Sequence, residues 1–276
     1  MLSCCLEFSA LGAGLSDTRD PGAASSIQAV FSAAPSDREK AVRNLGSELD
    51  SEERGYLLTF LLSPERCGAQ IHSFINEVMN ALDRQKRLPE GYEAALVAIS
   101  QSDAYDVVTR DYALQHMRRV YQHSAKKDLL CRSLLAATDD KRDSLAGTAL
   151  LGLAFASTVD PAVNVTNVNR AILKVLTEEA YTGASRIAAL QAGAIAGSKE
   201  VLPIARRIIQ EETVNEHLRL SAIAAVGLMG DAQDLTLLES LKIAPTDRLV
   251  PARTKAIENL NDRLGGPPSS KQEANL

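Results

Sequence analysis

The chain has 276 residues, enough for one large domain, two small ones or a stack of repeats around a buried core. It is 45% hydrophobic but only 4% aromatic, has no Trp, and is dominated by Ala and Leu, which argues for helices and against sheets. Thirty basic residues against 35 acidic ones leave a net charge of -5, which excludes a broad electrostatic attraction to nucleic acid or anionic membrane.

Residues 1–24, beginning MLSCCLEFSALGAG, show no periodicity and read as a disordered leader. The leader's apolar stretch has no basic start, so it fails as a complete signal peptide and the expected location is cytoplasmic. A longer upstream reading frame with a basic leader would instead make it the tail of an export signal. The longest apolar run, AGTALLGLAFA (Ala146 to Ala156), is far short of the ~20 residues a membrane span needs, so no integral membrane segment is expected. Cys4, Cys5, Cys67 and Cys131 show no CxxC spacing and make no disulfide framework. Cys67 and Cys131 fall in helical patterns, where buried reduced thiols are expected.

Residues 25–102 form an N-terminal helical region, read either as worn repeats or as a cap. In SDREKAVRNL, Ser36 is a candidate N-cap with Glu39 three residues on, a capping box. SEERGYLLTFLL follows. Pro64 in SPERCGAQIHSFINEVMNAL and Pro89 in PEGYEAALVAIS sit at first-turn positions that tolerate a missing N–H.

From residue 103 to 264 five segments share one form, an Ala followed by an apolar residue. They are RDYALQHM, AGTALLGL, RIAALQAG, RLSAIAAV and RTKAIENL, with shared alanines Ala113, Ala149, Ala189, Ala222 and Ala256 spaced by 36, 40, 33 and 34 residues. Arg110, Arg186, Arg219 and Arg253 lead four of them, which predicts a ladder pairing with carboxylates or helix-end carbonyls of the adjoining unit. A second amphipathic helix follows each of the first four. AGSKEVLPIARRI lines up with MGDAQDLTLLESL at an offset of 33, with Gly197 matching Gly230 as left-handed helix ends and Ser198 and Asp231 as caps. In RLSAIAAVGLMGD, Ala222, Ala224, Ala225 and Gly227 are expected to let backbones approach, while Leu220, Ile223 and Leu228 fill the gaps. Gly193 and Gly227, interior to their helices, are expected at close contacts. After Leu264, GGPPSSKQEANL (265–276) reads as a flexible tail, stopped by Gly265 and Gly266 and kept from resuming by Pro267 and Pro268.

The unit RLSAIAAVGLMGDAQDLTLLESL resembles a HEAT repeat, of the short HEAT-like type first described in phycobilisome lyases, best matched over 183–243. The resemblance implies an all-α fold, a right-handed α-solenoid of about four helical hairpins plus a closing helix. It also implies a non-enzymatic scaffold or adaptor that binds a protein partner and needs no cofactor. Two alternatives come with it. A bilin lyase or isomerase of this repeat type would line its site with aromatic and basic groups, and only six Tyr and five Phe are present. A HEAT-like DNA repair glycosylase would use a basic concave face with Trp and Asp; with no Trp and no basic excess, no nucleic-acid partner is expected. Deoxyhypusine hydroxylase, built from similar repeats, holds iron with His-Glu pairs, and the chain has no His-Glu dipeptide. His72, His116, His123 and His217 have no further metal ligand three or four residues away, so no metal site is expected and surface or satisfied interfacial roles are.

Helical phase selects the candidate partner-binding residues on the exposed faces of the second helices. They are Asn167, Arg170 and Lys174 on helix 164–178, Lys199, Arg206, Arg207 and Gln210 on helix 198–212, and Gln233, Thr236, Glu239 and Ser240 on helix 231–243. Arg118, Arg119, Lys126, Lys127 and Arg132 form a candidate basic patch, with Tyr121 and His123 between.

Overall fold

The computed structural model describes residues 26–66, 71–244, 246 and 248–265, and these are all-α, with no strand among them. The helices are α1 (Ser26–Ser32), α2 (Pro35–Arg43), α3 (Ser51–Leu61), α4 (His72–Asp83), α5 (Tyr92–Gln101), α6 (Val107–Val120) and α7 (Lys127–Ala137). They continue as α8 (Leu145–Val159), α9 (Val165–Thr177), α10 (Gly183–Ala196), α11 (Leu202–Gln210), α12 (Glu216–Met229), α13 (Ala232–Ser240) and α14 (Leu249–Leu264). Expectations for the leader, for Cys67 and for the tail from Gly266 concern residues outside those described.

Each odd-numbered helix packs against the even one that follows it. The even helices also pack on one another in order: α2 on α4, α4 on α6, α6 on α8, α8 on α10, α10 on α12 and α12 on α14. Contacts across these junctions keep a similar sequence separation: Asp111 of α6 meets Ser144 and Thr148 at 33 and 37 residues, and His116 meets Asp83 at 33. A near-constant difference, rather than a constant sum, means that neighbouring even helices run in the same direction. The five shared alanines all lie on even helices, and each is 2% exposed or less. One cluster of buried apolar side chains runs from Ile27 to Leu260 without a break at residue 102. Its N-terminal end is aromatic: Phe31 sits 5.0 Å from Tyr56, 5.1 Å from Phe60 and 5.7 Å from Phe74, ring centre to ring centre.

Small residues set the spacing at several junctions. A Cβ on Gly227 would come within 2.6 Å of the Ala256 Cα, and one on Gly147 within 2.7 Å of the Ala188 Cβ. Both positions let an even helix approach the next. Gly193, matched with Gly227 by sequence, instead faces Val201 in the turn after its own helix, 2.8 Å from a would-be Cβ. Ala224 and Leu228 correct the expectation for α12: both face solvent, and Leu228 is 53% exposed.

Helix starts follow a pattern that the sequence reading missed. Asp106, Thr182 and Asn215 cap α6, α10 and α12 with their side chains, accepting from Thr109, Ser185 and Leu218 backbone N–H groups among others. Each stands seven residues before a shared alanine. Asp50 and Asp231 close capping boxes on α3 and α13. Ser36 does not cap, because α2 already starts at Pro35. Ser198 precedes a short 3-10 turn, Lys199–Val201, and donates to Glu200 instead of capping. Pro64 opens another 3-10 turn, ending at Arg66, and α4 begins only at His72. Pro89 lies before Gly91, which at φ +85 turns the chain into α5. Gly197 ends α10 in the left-handed region at φ +66, as expected. Gly230 does not; it is extended at φ -61 and ψ -178, and glycine is needed there because a Cβ would strike the Asp234 carboxylate at 2.5 Å.

Candidate functional site

The second-helix residues divide into those that face solvent and those held within the chain. Arg170, Lys199, Arg207, Gln210, Gln233, Thr236, Glu239 and Ser240 are exposed. Asn167 accepts from Arg170 at 3.1 Å, and Lys174 pairs with Asp139 at 2.7 Å. Arg206 is committed more firmly. Its Nε and Nη2 reach both Asp234 oxygens at 2.7 and 2.8 Å, and Nη2 reaches Asp231 at 3.1 Å. Asp234 is 1% exposed. Burial opposes its charge, but the Arg206 guanidinium and the Asp231 backbone N–H hold its carboxyl below the usual carboxylate range. Arg206 therefore joins α11 to α13.

The candidate basic patch separates into two groups. Arg118 and Arg119 end α6 and line a cleft of about 550 Å³ with Gln115, Thr148, Leu151 and Phe155, between α6 and α8. The Arg118 guanidinium lies over the Phe155 ring at 5.5 Å. At the other end Asp111 accepts from Gln115 at 2.7 Å and from Thr148 at 2.6 Å, so this acid beside the cleft is satisfied internally. Lys126, Lys127 and Arg132 belong to the start and body of α7 and do not line the cleft. Lys127 lies over the Tyr121 ring at 5.8 Å, while Lys126 and Arg132 are exposed. Arg119 also borders a second concavity with Arg84, Lys86, Arg87 and His123.

Beneath Arg119 lies a buried polar cluster. His116 has no exposed surface; its Nδ1 donates to Asp83 at 2.7 Å and its Nε2 faces Asn76 Oδ1 at 3.1 Å. Tyr92 donates to the other Asp83 oxygen at 2.8 Å, and burial followed by the Asp83 charge pushes its hydroxyl well above the usual range. Arg119 closes the cluster onto Asn80 and Asp83. The cluster joins α4, α5 and α6, which is the satisfied interfacial role expected of such a histidine. Among the described residues no group of three or more His, Cys, Asp or Glu is placed to hold a metal ion. Cys131 is free but half-buried, because one side of α7 stays open at that position.

The arginine ladder takes a definite form. Arg110, Arg219 and Arg253 donate to the carbonyls of Ser100, Ile209 and Leu241, at or just past the C-terminal ends of α5, α11 and α13. Each bond satisfies a carbonyl that the helix leaves open. Arg110, 6% exposed, also reaches Asp103 and Asp140, and Arg142 joins both acids. Arg142 first and Arg110 after it hold the Asp140 carboxyl down to about 2. Arg186 departs from the pattern, with its Nε buried and unpartnered.

No family model matches the chain, and no curated protein matches it. No helix among the described residues is long and apolar enough to cross a membrane.

Proposed function

We propose that the chain is a HEAT-like α-solenoid acting as a non-enzymatic scaffold for a protein partner. The observation that carries this reading is the even-helix order, α2 through α14, each member packed on the one before and the one after. Helical hairpins stacked in this way share one long core and leave long faces open to partners. The direct contact of α4 with α6 favours worn repeats over a separate cap for the N-terminal region.

The outer faces of α9, α11 and α13 are tested by immobilising the chain and capturing partners from its native lysate. The variant carries Arg170→Glu, Lys199→Glu and Arg207→Glu, all at exposed positions that leave the Arg206–Asp234 pair intact. Selective loss of a captured protein, with an unchanged melting curve, is the expected result. Capture indifferent to these reversals, and to reversal of Glu239, counts against that face.

A further inference from the structure

The even helices have an open side as well. On α8 it comprises Thr148, Leu151 and Phe155, none of them fully buried, while Leu150, Gly152 and Leu153 beside them are covered. On α10 the same side shows Gln191 and Ile195, and on α12 it shows Ala224 and Leu228. Six residues after the shared alanine, the five even helices from α6 to α14 carry Arg119, Phe155, Ile195, Leu228 and Asp262. The surface thus begins cationic, with Arg118 and Arg119, runs through three successive apolar residues, and ends in an acid. Ile195 is 41% exposed and Leu228 53%, a real cost for large aliphatic side chains left in water at equivalent places.

Spacing narrows the occupant. Packed helix axes lie about 8–10 Å apart, so equivalent residues on successive even helices recur at that interval. Seven residues of α-helix advance about 10 Å. We infer that the open side of α6, α8, α10 and α12 docks an amphipathic helix of a partner protein, acidic at its first turn and apolar at every seventh residue. Its carboxylates meet Arg118 and the guanidinium nitrogens of Arg119 other than the Nη1 that Asn80 and Asp83 hold. Its first apolar side chain enters the cleft over Leu151 and Phe155, and the next two cover Ile195 and Leu228. Helix-in-groove recognition of this kind combines apolar anchors with charged ends. The inference rests on the scaffold reading and adds a face and a partner chemistry to it.

The probe is a fluorescein-labelled peptide of about 22 residues, with Glu in its first turn and Leu at three heptad-spaced positions in a background of Ala, Gln and Lys. Anisotropy with the full chain should show saturable binding. Leu228→Asp, Ile195→Asp and Arg118→Glu should each weaken it about tenfold, with circular dichroism and melting unchanged because all three residues are on the open side. No saturation below about 1 mM overturns the inference. So does equal binding of a peptide with the same leucines scattered, or binding that ignores all three variants. Self-association of the chain that Leu228→Asp disperses would also overturn it, by making a second copy the occupant. Failure here with success of the α9–α11–α13 reversals leaves the scaffold reading standing.

Discussion

At the residue scale, two glycines inside helices, Gly55 of α3 and Gly227 near the end of α12, make opposite demands. Gly55 has nothing within 4 Å of a would-be Cβ, so Gly55→Ala should stabilise by about 0.5–1 kcal/mol through lost unfolded-chain freedom. Gly227→Ala puts a carbon against the α14 backbone and should cost about 1–3 kcal/mol. Thermal melts of the two variants should therefore shift in opposite directions. Asp140 gives a pH signature. Its folded carboxyl titrates at about 2, below an unfolded value near about 4. Its contribution is present above pH ~4 and is lost as pH falls through ~2, because the unfolded chain takes up the proton first. Asp140→Asn should flatten the acid limb of urea-unfolding stability in that window. The sequence revealed that an arginine recurs at one place, but not that Arg110 would bind two acids and a carbonyl, because Ser100 and Asp103 come from the end of α5 and the α5–α6 connection and Asp140 from the separate α7–α8 loop.

At the element scale, the helices themselves were legible and several of their starts were not. The recurring Ala–apolar form located the bodies of the even helices from α6 to α14, and apolar periodicity those of the helices between them. Capping is decided by a single side chain's reach to a nearby N–H, so Ser36 and Ser198 look like caps in sequence and are not. The caps at Asp106, Thr182 and Asn215 were visible as a fixed distance to the shared alanine, a signal available without coordinates. Asn215→Ala should cost about 1 kcal/mol, read by chemical denaturation. Two neighbouring arginines of α11 should separate cleanly. Arg206→Met strands the buried Asp234 carboxylate and should cost about 3 kcal/mol, while Arg207→Glu on the exposed side should stay within about 0.5 kcal/mol. Phase along the helix suggested both as partner contacts, because phase reports only which way a residue points and not what waits there.

At the scale of the whole molecule, α8 and α10 each lie between two even neighbours, whereas α14 has an even neighbour on one side. Native-state hydrogen exchange should be slowest in α8 and α10 and should quicken toward α14. Uniform protection along the chain would contradict that gradient. The side-by-side order of the even helices could be anticipated from the repeat of small residues. The exposed sequence Arg119, Phe155, Ile195 and Leu228 could not, because in a linear reading Leu228 looks like any other apolar residue of a buried helix. Only the position of the odd helices shows which side they leave uncovered.

The constant distance from cap to alanine carries one more consequence. Thr182, Arg186, Ala189 and Ile195 recur 33 residues later as Asn215, Arg219, Ala222 and Leu228. A gene edited to excise one such block in phase would leave the surviving ends with the same start signal, the same arginine and the same outward-facing aliphatic side chain. The two blocks differ in one bond, since Arg219 reaches the Ile209 carbonyl while the Arg186 Nε is buried without a partner, so an excision that keeps Arg219 keeps the tied helix end.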